Sequence, residues 1–186
     1  MSELDRLSHL LADSTDRDNP DATELRELLA RLRRIAVVGI SRDPLKAARR
    51  VPSYLTAKGI DIVPVNPNAT WLLGKPALRR LGDFEGPVDL VLVFRPSDQA
   101  GAIVEEAAAR LEAPAIWLQE GIRTDREAGE ARAGGRTVVQ DLCLFKAHRT
   151  LDENMPARGP FAPATETARV AGQGSRGQDP GRRAPV

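Results

Sequence analysis

The chain has 186 residues, with 27 Lys and Arg against 26 Asp and Glu, and a formal net charge of +1. That balance argues against a dedicated nucleic-acid binder, which carries a clear basic excess, and an aromatic content of 4% leaves little for base-stacking platforms. The length suits one domain with its own core plus tails.

The single cysteine, Cys143, excludes an intrachain disulfide and fits a reducing cytoplasm. No apolar run is long enough to cross a bilayer, and Met1 to Asp18 lacks the apolar stretch of a signal peptide. His9, His148 and Cys143 show no metal-ligand spacing.

Residues 1–20 are polar, end at Asn19-Pro20 and read as a flexible N-terminal segment, although Leu4, Leu7, Leu10 and Leu11 have helical spacing. A folded domain is expected over 21–151. It opens with a helix whose stripe is Leu25, Leu28, Leu29 and Leu32, with Asp21 and Thr23 able to cap it. Ile35 to Ile40 is a continuous apolar run, which suits a strand buried on both faces. Ala47 to Lys58 reads as a helix closed by Gly59. Pro52 falls inside it and suggests that the true first turn lies near the proline, with Leu45 to Val51 partly loop.

Ile60 to Val65 is a second strand, ended by Asn66-Pro67, and a short strand is expected near Lys75 to Leu78. Val88 to Phe94 is a further strand. Ser97 can cap a helix from there to about Arg110, with Ile103, Val104 and Ala107 inward. Ala115 to Leu118 is a strand, Asp125 to Ala133 a helix closed by Gly134-Gly135, and Thr137 to Gln140 the last strand. Strands alternating with helices predict an α/β fold with a doubly wound parallel sheet. Residues 152–186 are rich in Pro, Gly, Arg, Ala and Ser without periodicity, which predicts a disordered tail.

In such a sheet a ligand binds beyond the carboxyl ends of the strands, where strand order reverses. The candidates are therefore Gly39, Ile40, Ser41, Arg42 and Lys46 after the first strand, Asn66 and Pro67 after the second, Phe94, Arg95 and Pro96 after the Val88 strand, and Gln119 and Gly121 after the Ala115 strand. Asp141, Cys143 and His148 follow the last. A glycine turn leading into a helix N-terminus favours a phosphate group. Gly39 lacks the two further glycines of a dinucleotide fingerprint, and a lone glycine is equally a structural turn.

Asn66 stands where a nicotinamide dinucleotide enzyme usually has Asp or Glu for the ribose hydroxyls, and Asp61 is at the wrong end of its strand. A ligand with negative charge near its ribose fits better. Arg42, Lys46, Arg49 and Arg50 could neutralise its phosphates, or simply form a solvated helix face. Cys143 and His148 allow two readings: a thiol–imidazole pair for acyl transfer or disulfide exchange, or a buried small hydrophobe and a satisfied histidine. Trp117 reads as packing.

An ordered set of segments resembles the CoA-binding domain proteins, stand-alone relatives of the domain at the start of the succinyl-CoA synthetase alpha subunit. The segments are Ile35-Ala-Val-Val-Gly-Ile-Ser, Gly59-Ile-Asp-Ile-Val-Pro-Val-Asn-Pro, Leu73-Gly74, Val88-Asp-Leu-Val-Leu-Val-Phe-Arg-Pro, Ile116-Trp-Leu-Gln-Glu-Gly and Thr137-Val-Val-Gln-Asp-Leu-Cys, with His148 after them. The resemblance covers about Leu32 to Leu151. It implies a Rossmann-like fold, CoA or an acyl-CoA as small-molecule ligand with its adenosine 3′,5′-bisphosphate and pyrophosphate over the first turn, and no established catalysis. Two segments depart from the family. Lys46-Ala-Ala-Arg49 stands where an Arg-Pro-Ser or Pro-Ser-Tyr type segment is common, and Leu142 stands where an Arg usually precedes the cysteine. The alternatives are a thioester or thiol–disulfide enzyme using Cys143, a nicotinamide-dependent oxidoreductase, and an interaction protein that has lost the ligand. The sequence leaves a homo-oligomer open.

Overall fold

The computed structural model describes residues 1–152. The expectation of a disordered tail falls on residues from 153 onward, outside the described residues. In chain order the elements are α1 (Glu3–Asp13), α2 (Ala22–Arg31), β1 (Arg34–Val38), α3 (Ala47–Ala57), β2 (Asp61–Val65), β3 (Trp71–Leu72) and β4 (Lys75–Pro76). There follow β5 (Leu90–Val93), α4 (Ser97–Ala108), β6 (Ala115–Leu118), α5 (Asp125–Ala133), β7 (Val138–Val139) and α6 (Leu144–Asp152).

Five strands form one parallel sheet in the order β2-β1-β5-β6-β7. Beyond Arg34 and Asp61 at the first positions of β1 and β2, the strands of this sheet are apolar because helices cover both faces. Ile35, Val37, Ile62, Leu90, Leu92, Trp117 and Val139 belong to the core cluster that includes residues of α1, α2, α3 and α6. The alternate positions, Ala36, Val38, Val63, Val65, Val91, Val93, Ile116 and Leu118, belong to the cluster with α4 and α5. The period of two along each strand thus sorts side chains between two cores. Each fully buried Leu, Ile or Val contributes about 1.5–3 kcal/mol, so a polar residue on either face would be costly.

The β1–α3–β2 unit covers one face, and β5–α4–β6–α5–β7 covers the other. Strand order therefore reverses between β1 and β5, which opens a crevice at the carboxyl ends of those two strands. No helix among the described residues is long and apolar enough to cross a membrane.

Four expectations change. Residues 1–20 are not left free: Ser2 and Asp5 form a capping box at α1, and Leu7 is fully buried among Leu25, Leu28 and α6. The following link docks on the end of β7, where the Asn19 side chain accepts from the Gln140 N–H at 2.8 Å and donates to its carbonyl at 2.9 Å. The carboxamide thereby takes the place of a neighbouring strand at an open sheet edge.

Secondly, α3 begins at Ala47, so Pro52-Ser53-Tyr54 sits in mid-helix rather than near the first turn. Thirdly, Ser97 makes no cap; Pro96 is the N-cap residue of α4, and the Ser97 hydroxyl accepts from the Arg123 N–H at 3.1 Å. Fourthly, the region after Asn66 is a two-stranded antiparallel hairpin, β3–β4, and its continuation at Leu78 bridges in parallel to Val65, extending the sheet edge.

Candidate functional site

The crevice is built on the turn that follows β1. Gly39 has φ +88°, a conformation that side chains rarely adopt. Its N–H donates to the Val65 carbonyl at 3.0 Å, and a Cβ there would stand 3.1 Å from the Phe94 carbonyl carbon and oxygen. The turn is thus wedged between the ends of β2 and β5, where only glycine fits without displacing backbone.

Two tethers shape the loop beyond it. Asn66 donates its Nδ2 to the Ile40 carbonyl at 2.7 Å, while its Oδ1 accepts from the Asn68 N–H at 2.7 Å. The second bond fixes the orientation of the carboxamide, because a backbone N–H can only donate. The Ser41 N–H donates to the Ala48 carbonyl at 3.1 Å. Two short turns then lead into α3: the Ser41 hydroxyl accepts from the Asp43 N–H at 3.0 Å, and Asp43 Oδ1 accepts from the Leu45 N–H at 2.9 Å.

A groove of about 460 Å³ lies over this loop, lined by Gly39, Ile40, Ser41, Arg42, Asp43, Lys46, Ala48, Asn66, Asn68 and Phe94. Its size suits a small-molecule site of roughly 300–1,000 Å³. Lys46, the N-cap residue of α3, makes no side-chain cap bond, which leaves the helix N-terminus open to an anion. The N–H groups of Ile40 and Arg42 have no partner among the described residues, and Ile40 is fully buried. A buried donor without an acceptor is rare in folded proteins, and a ligand oxygen would satisfy it. Arg42 and Lys46 are exposed cations at the rim; the one carboxylate in the lining, Asp43, already accepts from Leu45.

Asn66 thus acts as a clamp. An Asp at this position would set a carboxylate oxygen against the Ile40 carbonyl. Asp61 lies at the opposite end of β2, where it pairs with Arg34 (2.6 Å) and Lys75. Burial raises its pKa, but the hydrogen bonds from Lys75 and Arg34 outweigh this and hold it below the ordinary carboxylate value.

Of the other expected residues, the half-buried Arg95 closes the back of the turn, with its Cδ 3.3 Å from where a Gly39 Cβ would be. Pro67 and Pro96 are exposed next to the groove-lining Asn66 and to Arg95, respectively, and Arg49 is half-buried on α3. None of these four lines the groove.

Gln119 and Gly121 lie at the carboxyl end of β6, in a different cluster. Gln119 is buried, accepts from the Leu144 N–H at 3.2 Å and donates to Cys143 Sγ at 3.2 Å. The Gly121 N–H donates to Asp141 Oδ1 at 2.7 Å. Asp141 also accepts from the Thr15 N–H (3.0 Å) and hydroxyl (2.6 Å). Burial raises the Asp141 pKa, yet these bonds from Thr15 and Gly121 bring it below the ordinary value.

Cys143 and His148 are held by different neighbours, Gln119 and Tyr54. Five helical positions turn a side chain by about 140°, and the Nδ1 of buried His148 lies 3.1 Å from the Tyr54 hydroxyl on α3. Trp117 is fully buried and donates its Nε1 to the Leu142 carbonyl at 2.7 Å. The groove also draws on Asp43, Ala48 and Asn68, which the strand-end rule did not single out. The Asn66-Pro67-Asn68 spacing, an Asx turn, was the available signal for Asn68.

The sequence matches the model of a family described as a CoA binding domain over residues 33–149. It is 38% identical over 130 residues to the uncharacterized protein YneT of Bacillus subtilis (strain 168), covering 70% of this chain and 96% of that protein. The structure of a Thermus thermophilus protein described as cell-free ID.343 aligns with a TM-score of 0.65 at 37% identity, covering 69% of this chain and 97% of the other. A hypothetical protein from Pyrococcus horikoshii OT3 aligns with a TM-score of 0.68 at 26% identity, covering 75% and 97%.

Proposed function

The chain belongs to the CoA-binding domain family, and from that premise we propose that it binds CoA or an acyl-CoA in the groove over the Gly39 turn, without catalysis of its own. The adenosine 3′,5′-bisphosphate and pyrophosphate portion lies against the first turn and the open N-terminus of α3. The observation that carries this reading is the buried Ile40 N–H without a partner among the described residues, in a groove rimmed by Arg42 and Lys46. Anionic oxygens suit such donors, and charge-assisted bonds to them are about twice as strong as neutral ones.

What supports leaving catalysis out is the position of the nucleophile. Cys143 lies outside the groove lining and accepts from Gln119, and the buried imidazole of His148 is turned to Tyr54. The clamp role of Asn66 supports CoA over a nicotinamide dinucleotide, because no carboxylate at that strand end is offered to a ribose diol.

Titration calorimetry with CoA, 3′-dephospho-CoA and NAD tests the proposal. CoA is expected to bind, dephospho-CoA to bind more weakly, and NAD to give no measurable heat. Binding of NAD with none of CoA would sink it.

A further inference from the structure

A proline in mid-helix is costly, yet α3 carries Pro52 five residues after its first residue. The Ala48 carbonyl is the group that residue 52 would satisfy in a regular helix, through an N–H that proline lacks. The pyrrolidine ring also pushes that carbonyl aside. The released oxygen is the acceptor of the Ser41 N–H at 3.1 Å, and both Ser41 and Ala48 line the groove.

We propose that Pro52 is a positioning residue for the ligand loop: by withholding the helical N–H it reserves the Ala48 carbonyl for Ser41. This inference rests on the reading of the groove as the CoA site. The loop is then held from two sides, with Asn66 on the Ile40 carbonyl and Ala48 on the Ser41 N–H. Held there, the intervening chain keeps the Ile40 and Arg42 N–H groups clear of internal acceptors, so that binding does not have to order the loop. Preorganisation of this kind improves affinity by reducing what is lost on association. Pro52 itself is buried and does not line the groove, so its effect on ligand is indirect.

The test compares wild type with Pro52→Ala and Pro52→Ser, both of which restore the helical donor. Three quantities are measured: hydrogen exchange of the Ser41 amide without ligand, CoA affinity by calorimetry, and melting temperature. Faster Ser41 exchange, CoA affinity weakened by about tenfold and a melting temperature no lower than wild type are expected, since loss of a mid-helix proline is itself favourable. Unchanged Ser41 exchange, or unchanged CoA affinity, overturns the assignment. So does a variant that melts well below wild type, because that outcome makes Pro52 a packing residue. If wild type itself fails to bind CoA, the reading of the groove falls instead, and Ser41 exchange alone then decides whether the proline sets the tether.

Discussion

Two clusters of polar residues stand at the carboxyl edge of the same sheet, one beyond β1 and β2, the other beyond β6 and β7. Both carry a glycine with positive φ, Gly39 in the first and Gly121 in the second. They differ in where their hydrogen-bonding groups are directed. At the second cluster the Gly121 N–H goes to Asp141, Gln119 goes to Leu144 and Cys143, and Gln140 is held by Asn19, Ser14, Thr124 and Asp16. At the first, the side chains of Asn66 and Ser41 shape the loop, while the Ile40 and Arg42 N–H groups and the uncapped α3 start are left over among the described residues. Residue type at a strand end therefore does not define a site. The groups that remain unengaged once the fold has taken its share define it.

The contrast predicts opposite responses to substitution. The largest effect belongs to Gly39→Val, which sets a branched side chain against the Phe94 carbonyl in a left-handed conformation. CoA affinity should fall by more than about a hundredfold, with stability lowered by about 1–3 kcal/mol. Calorimetry on the folded variant checks this, and retained affinity would mean that the ligand does not approach this backbone.

Next in size is Asp16→Asn. The buried carboxylate of Asp16 accepts from Arg132 at 2.7 Å and from Gln140 at 2.9 Å. The substitution should lower stability by roughly 2 kcal/mol and leave CoA affinity unchanged; denaturant unfolding and a titration would each expose an error. The same group predicts pH dependence. Burial raises its pKa, but the bonds from Arg132 and Gln140 prevail and hold it below the ordinary carboxylate value. A depressed carboxylate contributes stability that is present above its unfolded pKa and is lost as pH falls through the folded one. Acid unfolding should therefore show a loss below about pH 4 that is smaller in Asp16→Asn than in wild type.

Arg42→Ala and Lys46→Ala come third. Each should weaken CoA about tenfold while changing stability by no more than about 0.5 kcal/mol, as expected of exposed side chains. An unaltered affinity in the double variant would assign both to the solvated face. The smallest effect is expected for Cys143→Ser, which should bind CoA within about twofold of wild type. A larger loss would draw the second cluster into the site.

The sequence made the sheet legible because its runs are apolar on both faces: Val88 to Phe94 and Ala115 to Leu118 each contain an observed strand, and Ile35 to Ile40 overlaps β1 in all but its first residue, Arg34. It also brought Gly39 through Arg42, Lys46, Asn66 and Phe94 together as strand-end candidates, and these line one groove. What stayed hidden were pairings between distant positions. Asn66 as a clamp depends on a carbonyl 26 residues away. Ser97 has the residue type of a helix cap, but Arg123 takes its hydroxyl. The docking of residues 14–20 rests on side-chain bonds to Gln140 and Asp141, more than a hundred positions on. Pro52 reads locally as a helix boundary, and only the Ser41 contact explains it in mid-helix. Periodicity reports which face a residue takes; it carries no record of the acceptor its N–H will find.

The central claim is that the ligand's phosphates meet the first cluster and not the second. Amide chemical-shift mapping during titration with adenosine 3′,5′-bisphosphate addresses it directly, since this fragment lacks the pantetheine arm. The account predicts saturable shifts at Gly39, Ile40, Ser41, Arg42 and Ala48, with Gly121, Asp141 and Leu144 unmoved. Shifts confined to Gly121, Asp141 and Leu144 would contradict it.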